Sequence, residues 1–253
     1  VVFVSCAITG DTVKIKIRDK KKNYAAGSLI SVIKPSEFRI NPPCRHFEQC
    51  GGCQLMHMDY EEQLKYKRNR IISEFRRAKV SFDELIINNT IGMEEPYRYR
   101  NKTEFSVRSK NNEVKIGPYE QGSYNTVDID GCIIQSKEAD NVLSAFKNLM
   151  AKYNIKAYDK KTKKGIVRNI VIRSDRKNEL MLIIVTAAEN FKNKDSLVQE
   201  LLSLAPNIIT IVQNINDKNT NLIMGRKNIT LYGEGIIVDK IDDLFFTISP
   251  ETF

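Results

Sequence analysis

The sequence lacks any apolar run that could cross a bilayer. Its longest apolar stretch extends from Leu180 to Ala188, whereas a membrane-spanning helix needs about 20 such residues. The amino terminus also lacks the succession of basic, apolar and small residues that is typical of a signal peptide. We therefore expect a soluble protein of the cytoplasm, with no membrane partner.

Cysteines are few and irregularly spaced, which disfavours a disulfide scaffold. The chain has five of them, an odd number, and in a reducing compartment thiols stay reduced or bind metal. No protein partner is evident from the sequence either.

Basic residues outnumber acidic ones. The chain has 40 Lys and Arg against 31 Asp and Glu, which gives a net charge of +9 and favours a polyanionic partner. Basic residues beside aromatic rings suit a nucleic acid, because cations neutralise phosphates and rings stack on exposed bases. A solvated lysine surface explains any single cluster equally well. The clusters are KIKIRDKKK (14–22), KYKRNR (65–70), RYRNK (98–102) and KKTKK (160–164).

The pattern of apolar residues predicts an α+β fold with a small β-domain first. Residues 1–33 alternate as strands do, and three prolines at positions 35, 42 and 43 then mark a linker or domain edge. Asp59 and Glu62 form a capping-box pattern before an amphipathic helix predicted over residues 60–78. The polar face of that helix carries Lys65 and Arg68.

The remainder of the chain is typical of an α/β sandwich with helices on one face. Its length of 253 residues suits two domains. Strands are predicted near 102–108, 113–119 and 125–129, a helix from Ser136, a hairpin in IVRNIVIR and ELMLIIVTA, a helix over 192–204, a strand in IITIVQN, and short strands over 222–248.

Three cysteines in the Pro/Gly-rich stretch PPCRHFEQCGGCQ predict a metal site. Cys44, Cys50 and Cys53 have the spacing C-x5-C-x2-C, and two thiolates of one tight turn can reach the same metal. The adjacent glycines, Gly51 and Gly52, are expected to supply the unusual backbone angles of that turn.

The fourth ligand must come from elsewhere in the chain. Cys132 beside Gly131 is the favoured residue, because Cys6 lies in a strand pattern, while His46 and His57 are nearby alternatives. Four thiolates suit a structural zinc or an iron-sulfur cluster, and the single C-x2-C pair favours the cluster. Ordinary cysteines in a loop are the third interpretation.

Several motifs together resemble the RNA uracil-5-methyltransferase family, in particular its iron-sulfur branch that acts on 23S ribosomal RNA. The resemblance covers nearly the whole chain, with its motifs in the family's order. The motifs are PPCRHFEQCGGCQLMHMDYEEQLKYKR, YRYRNKTEFSV, DGC, GIVRNIVIR and FFTISPETF.

This resemblance implies three parts of the chain. Residues 1–40 would be the latter part of an RNA-binding TRAM domain, an OB-like β-barrel, and 41–58 a cluster-binding loop. Residues 59–253 would form a central RNA-binding domain. A [4Fe-4S] cluster would be held by Cys44, Cys50, Cys53 and Cys132. RNA contacts are expected at Tyr99, Arg100, Asn101, Lys102 and Glu104, together with Lys65 and Arg68.

The resemblance also implies the reaction. A cysteine thiolate adds to C6 of a flipped uracil, C5 attacks the methyl group of S-adenosylmethionine, and a carboxylate then removes the C5 proton. The sequence has no glycine-rich loop between a strand and a helix, since YGEGIIV continues as a strand. We therefore expect S-adenosylmethionine to bind in a missing domain, no cysteine of this chain to be the nucleophile, and this piece alone to be inactive.

Two questions stay open on the sequence alone. Relatives specific for transfer RNA generally lack the cluster cysteines, so 23S rRNA is the expected partner. The alternative from another class is a stand-alone RNA-binding module that contains zinc and has no enzymatic activity.

Overall fold

The computed structural model describes residues 1–80, 86–110, 113–220 and 222–252. The chain forms two compact units. Unit 1 comprises Val1–Glu48 and Cys53–Pro96, and unit 2 comprises Gln49–Gly52 and Tyr97–Phe253. The domain boundaries expected at residues 40 and 58 stay predictions.

The elements confirm the mixed α+β class. The three helices of the described residues are α1 (Tyr60–Arg77), α2 (Lys137–Lys152) and α3 (Lys194–Leu204). The strands are β1 (Val2–Val4), β2 (Thr12–Lys20), β3 (Ala25–Lys34), β4 (Lys102–Lys110), β5 (Glu113–Gly117), β6 (Val167–Ser174), β7 (Leu180–Thr186), β8 (Ile208–Ile215), β9 (Lys227–Tyr232), β10 (Ile237–Ile241) and β11 (Leu244–Ile248).

Unit 1 begins with an open sheet. Its three strands have the order β1-β3-β2, with β1 parallel and β2 antiparallel to β3. The described residues of the unit contain no closed barrel, and the OB-like barrel stays a prediction.

A buried ion pair fastens the segment after β3 to the turn before β2. The Asp11 carboxylate accepts hydrogen bonds from the Arg39 guanidinium at 2.5 and 3.0 Å, and from the N–H groups of Ile8 and Ser36 at 2.9 Å. The Arg39 bond holds the pKa of Asp11 well below its ordinary value. The four donors therefore keep this carboxylate charged inside unit 1.

The predicted helix over 60–78 is confirmed as α1. Asp59 caps its amino terminus, because the side chain accepts from the N–H groups of Glu61 at 3.0 Å and Glu62 at 3.4 Å. Two arginines in the last turn, Arg76 and Arg77, complement the helix dipole. No residue of α1 is fully buried, so both of its long faces are at least partly accessible.

Unit 2 is built on one six-stranded sheet with the order β5-β4-β6-β7-β8-β9. The β7–β8 pair is parallel, with α3 between the two strands in sequence, and the other neighbouring pairs are antiparallel. Every residue of β7 is buried, because both faces of the central strands are covered.

The helices lie on one face of this sheet, as predicted. Apolar residues of α2 and α3 pack with alternate residues of β4 to β8 in one large cluster, which includes Phe105, Phe146 and Leu182. On the opposite face, Ile237 and Ile248 of the β10–β11 hairpin pack against β6, β7 and β8. Among the described side chains, this apolar cluster contains no residue of β4.

The strand expected near residues 125–129 does not form as a regular strand. Ile129 N–H donates to the Ile116 carbonyl at 3.1 Å, but the Ile116 N–H donates to the Asp128 side chain at 3.0 Å. A carboxylate thus takes the place of a backbone acceptor, which interrupts the ladder along the outer edge of β5.

No helix within the described residues has both the length and the apolar character needed to cross a membrane.

Replacement of Phe146 by alanine tests the core of unit 2. The Phe146 side chain is 0% exposed in the main cluster, and its loss leaves a cavity, so we expect unfolding to become about 3–5 kcal/mol easier in urea titrations. The matched control is Asn148→Ala at an exposed position of the same helix, expected to change stability by less than about 0.5 kcal/mol. Equal effects of the two substitutions would contradict this core assignment.

Candidate metal centre and nucleic-acid interface

A short backbone pairing fixes the Cys50 turn inside unit 2. The Gly51 N–H donates to the Tyr119 carbonyl at 2.9 Å, and the Gln121 N–H donates to the Gln49 carbonyl at 3.0 Å. A Cβ atom on Gly51 would lie 3.1 Å from the Tyr119 carbonyl oxygen, so glycine allows this close approach.

The expected unusual backbone angles at the two glycines are wrong, because neither has a positive φ. The absence of a side chain at these glycines instead allows close contacts within the turn. A Cβ atom on Gly52 would lie 3.3 Å from the Cys50 sulfur, and the Gly52 N–H donates a hydrogen bond to that sulfur at 3.3 Å. Hydrogen bonds of this kind tune thiolates that hold metal clusters.

The loop that carries Cys132 is organised by the carboxylate of Asp140 in the first turn of α2. Its Oδ1 accepts from the Cys132 N–H and from the Gln135 side-chain amide, both at 2.7 Å. Its Oδ2 lies 2.7 Å from Nη1 of Arg98, and the Asp140 side chain is only 18% exposed. The Cys132 backbone is therefore anchored to a helix by a charged group.

Arg98 joins the same loop to the segment that precedes β4. Its Nη1 lies 3.0 Å from the Cys132 carbonyl and 2.8 Å from the Gln135 carbonyl. The N–H groups of Arg98 and Arg100 donate to the carbonyls of residues 133 and 134 at 3.0 and 2.8 Å. Arg98 adopts the left-handed region at φ 55°, a strained conformation for a long side chain. These contacts hold it there.

Cys132 and Cys50 both belong to unit 2. Burial raises the pKa of the Cys132 thiol, the N–H groups of Ile134 and Gln135 oppose this shift, and Asp140 and Cys50 add to it. The raised pKa keeps the thiol protonated at neutral pH, and coordination to a metal would displace that proton.

The other two predicted ligands, Cys44 and Cys53, belong to unit 1. All five cysteines of the chain are thiols. Within the described ranges, the structure does not gather three or more His, Cys, Asp or Glu side chains at one metal-ligating point. The donor set of thiols suits a cluster or zinc, and two of its four members, Cys50 and Cys132, belong to the same unit.

The alternative ligand His57 is packed in the core of unit 1. Its ring lies 5.0 Å from the ring of Phe47, and in the described residues neither ring nitrogen has a hydrogen-bond partner. Burial, followed by the nearby charge of Arg39, lowers the pKa of His57, so the ring is neutral at pH 7. Cys6, which the sequence places in a strand pattern and not in the ligand set, is a half-buried thiol in a turn of the same unit at φ 64°.

The segment that carries the predicted RNA contacts is accessible. Tyr99 is 55% exposed, and Arg100 and Asn101 are also exposed. The backbone of this segment is nevertheless fixed, because the Asn101 carbonyl accepts from the Ser174 N–H at 2.9 Å. A ring and a cation on a fixed backbone suit stacking and phosphate contact with little loss of entropy on binding.

Lys102 and Glu104 begin the outer face of β4 as an ion pair. Their charged atoms lie 3.0 Å apart, and both side chains are half-buried. Arg173 of β6 is the direct cross-strand neighbour of Lys102. Burial lowers the pKa of Arg173, and the negative charge of Glu104 opposes this shift. Glu104 therefore balances two cations, and a direct contact of this carboxylate with RNA stays a prediction.

The two predicted contacts on α1 have different surroundings. Lys65 is exposed, lies 3.4 Å from Glu62 and has its ammonium 5.6 Å from the centre of the Phe38 ring. Arg68 is half-buried, and its guanidinium donates two hydrogen bonds to the Ile87 carbonyl at 2.9 and 3.2 Å. Arg68 thus holds the segment after the helix, whereas Lys65 is accessible to an anion.

Sequence reasoning missed Asp140 and undervalued Arg98. The motif DGC ended at Cys132, eight residues before Asp140. Arg98 was counted only within a basic cluster, although its charge is paired with Asp140. An acidic residue in the first turn of a helix was the only available signal, and such residues are common because they suit the helix dipole.

Comparisons with known proteins agree with this architecture. No family model matches the chain. The chain is 40% identical over 254 residues to an uncharacterized RNA methyltransferase of Staphylococcus aureus, and 41% identical to one of Staphylococcus epidermidis. It is related to part of these proteins. The alignments cover 100% of the chain but 56% of each relative, so the chain spans about half the length of the curated relatives it matches.

A solved structure shares the fold. The tRNA (uracil-54, C5)-methyltransferase of Pyrococcus abyssi, solved in complex with S-adenosyl-L-homocysteine, matches with a TM-score of 0.72 and 19% identity. The match covers 100% of this chain and 56% of that one. At this level of identity the likeness establishes the fold alone.

Replacement of Asp140 by asparagine tests the anchoring of the Cys132 loop. The amide would present an N–H group or an uncharged oxygen to Arg98, so we expect a loss of about 1–3 kcal/mol in the free energy of unfolding, measured with urea. Asp243→Asn, the same change at a fully exposed site, should cost less than about 0.5 kcal/mol. Asp140→Asn with wild-type stability would show that the carboxylate is dispensable.

Proposed function

We propose that this chain is the part of an S-adenosylmethionine-dependent RNA uracil-C5-methyltransferase that holds a metal cluster and the RNA substrate. One observation carries the proposal. The Cys132 loop is hydrogen-bonded to the exposed Tyr99–Asn101 segment inside one unit. A metal ligand and a nucleic-acid surface would then share one rigid element. The names of the curated relatives support the RNA methyltransferase class.

The proposed ligands of a [4Fe-4S] cluster are Cys44, Cys50, Cys53 and Cys132. The placement of Cys50 and Cys132 in the same unit supports this set. Cys44 and Cys53 lie within six residues of Cys50 along the chain. The proposed role of the cluster is architectural: it would fasten the cysteine loop to the loop before α2. Zinc bound by the same thiols, in a module without enzymatic activity, is the alternative.

The proposed RNA contacts are Tyr99, Arg100, Asn101 and Lys102 on unit 2, with Lys65 on α1. The exposed ring of Tyr99 offers a stacking surface, and the cations offer phosphate contacts. Arg68 and Glu104, which also belong to the predicted set, would act mainly by holding neighbouring groups in place.

The described residues do not fit S-adenosylmethionine. No glycine-rich loop leads from a strand into a helix among them, since Gly233 and Gly235 stand between β9 and β10. The cofactor supplies a methyl group when it is bound. We propose that its site, and the catalytic residues, lie in the portion of the whole protein that corresponds to the unmatched length of the relatives.

The proposed substrate is 23S rRNA. The cysteine set supports this choice, because transfer RNA-specific members of the resembling family generally lack it. The solved enzyme of similar fold acts on tRNA, so both RNAs belong in the experiment. The protein that contains this chain would be incubated with S-adenosylmethionine and RNA tritiated at uracil C5. We expect tritium release from 23S rRNA and little from tRNA; release from tRNA alone would contradict the rRNA assignment.

Salt dependence tests the RNA surface. Each neutralised phosphate contributes about −0.7 to the logarithmic slope of affinity against salt for a single strand. We therefore expect a steep slope for wild-type protein and a slope smaller by about 0.7 for Arg100→Ala, measured by fluorescence anisotropy. The control, Lys192→Ala, removes a charge beside the helices and should leave the slope unchanged. Salt-independent binding would contradict the proposed electrostatic contacts.

Serine substitution tests the fourth ligand. We expect Cys132→Ser to lower both the bound metal per chain and the midpoint of thermal unfolding, because metal binding is coupled to folding. Cys6→Ser, which changes a thiol outside the proposed set, should leave the metal content unchanged. A Cys132→Ser protein with full metal content would remove Cys132 from the ligand set.

A further inference from the structure

We propose that unit 2 carries a second RNA-binding surface, at the far end of β4 from Tyr99, which takes single-stranded RNA. This inference rests on the proposed function and adds a site outside the RNA contacts that the resemblance implies. The surface, called the Arg108 surface below, consists of Arg108, Lys115, Tyr119, Tyr124, Lys160 and Arg168.

Strand alternation places two of these cations side by side. Phe105 and Val107 of β4 point into the main core, so Arg108 belongs to the opposite, outer face. Lys115 of β5 is the direct cross-strand neighbour of Arg108. Like charges in this position destabilise a sheet unless something neutralises them. A bound anion would provide that neutralisation.

Arg108 also fixes a pair of aromatic rings. Its Nη2 donates to the Tyr119 hydroxyl at 3.2 Å, and its Nη1 donates to the Arg168 carbonyl at 3.0 Å. The ring of Tyr124 meets that of Tyr119 edge-on at 5.9 Å and is 81% exposed. A large exposed ring supported by a second ring is a stacking platform that any unpaired base can use.

Arg168 lies beneath this surface and adds to its positive charge. It is 3% exposed, and its guanidinium donates to the carbonyls of Asn216 at 2.7 Å and Lys218 at 2.8 Å. It also lies over the Tyr158 ring, 4.8 Å from the centroid. Carbonyl oxygens and a ring hold this cation in place without cancelling its charge.

In the parts of the chain that the structure describes, Arg108, Lys115, Lys160 and Arg168 form no ion pair within 4.0 Å, in contrast to Lys102 with Glu104 at 3.0 Å. Partial desolvation lowers the pKa of the largely exposed Lys160, and the charges of Arg108 and Arg168 lower it further. The positive potential is therefore concentrated here and attracts phosphate.

Nearby acidic groups have other partners or lie at the margin. The Asp159 side chain accepts from the N–H groups of Lys161 and Thr162 at 2.8 Å, which shapes the lysine-rich turn. Glu120 accepts from Ser123 and Asn125 at 3.0 Å. Asp217 is the carboxylate that favours the charged form of Arg168. Among the described residues, none of these three carboxylates forms an ion pair with Arg108 or Lys115.

The spacing suits one continuous strand of RNA. Lys102 and Arg108 lie on the same face of β4, six residues apart, which corresponds to about 20 Å along an extended strand. Ser106, between them on that face, is buried and hydrogen-bonded to the Thr126 hydroxyl, so RNA that contacts Tyr99 would cross this covered part of β4 to reach Tyr124. Flexible single strands follow such a row of rings and cations more readily than a stiff duplex does.

Tyr124 and Lys160 provide the test, because both are exposed and neither supports the core. The probe is a fluorescent oligouridylate of about 12 nucleotides. We expect Tyr124→Ala to weaken binding about fivefold or more and Tyr124→Phe to bind within twofold of wild type, since stacking needs the ring and not the hydroxyl. Lys160→Ala should reduce the salt slope by about 0.7, whereas Lys160→Arg and the helix-side control Lys192→Ala should not.

The outcomes separate this surface from the proposed function. Wild-type binding that weakens with salt, together with unchanged binding of Tyr124→Ala and Lys160→Ala, would overturn the Arg108 surface alone. Failure of the wild-type protein to bind any RNA at low salt would overturn the proposed function and this inference with it. A duplex that binds as tightly as the oligouridylate and is equally sensitive to Tyr124→Ala would contradict the single-stranded assignment.

Discussion

The carboxylate of Asp140 is the contact on which the candidate site of unit 2 depends. It sits in the first turn of α2 and receives three hydrogen bonds of 2.7 Å, from the Cys132 N–H, the Gln135 amide and the Arg98 guanidinium. A mostly buried charge requires such partners, because its desolvation would otherwise outweigh the contacts it makes. The same network therefore fixes a helix, a cysteine loop and the exposed Tyr99 segment relative to one another.

Charge is unevenly distributed along the outer face of β4: cations are balanced at its first residues and unbalanced at its other end. At its first residues, Lys102 and Arg173 are balanced by Glu104, so the neighbouring ring of Tyr99 is the more distinctive feature there. At its other end, Arg108 and Lys115 face each other without an acidic partner within the described residues. One six-stranded sheet supports both ends, and the proposed RNA strand would be held at two points on it.

Elements with a strong local pattern could be predicted from the sequence, and contacts between distant residues could not. The apolar stripe of α2 and the uninterrupted run of β7 each require a buried helix or strand, and both formed as expected. The Arg98–Asp140 pair joins residues 42 positions apart, and no spacing rule encodes it. The segment at Asp128 does not form a regular strand, because the Ile116 N–H donates to the Asp128 side chain and not to a backbone carbonyl. The periodicity of apolar residues does not predict such a side-chain hydrogen bond. The cysteine spacing predicts a metal site but does not encode its fourth ligand, and Cys132 in that role stays a prediction.

The identity of the bound metal tests the proposed cysteine site most directly. Protein purified without oxygen would be analysed for iron, acid-labile sulfide and zinc, and its visible absorption recorded. A [4Fe-4S] cluster on the four proposed thiolates predicts about four iron and four sulfide ions per chain, with a brown colour. One zinc ion per chain with neither iron nor sulfide would contradict it and would favour a zinc-bound RNA-binding module instead.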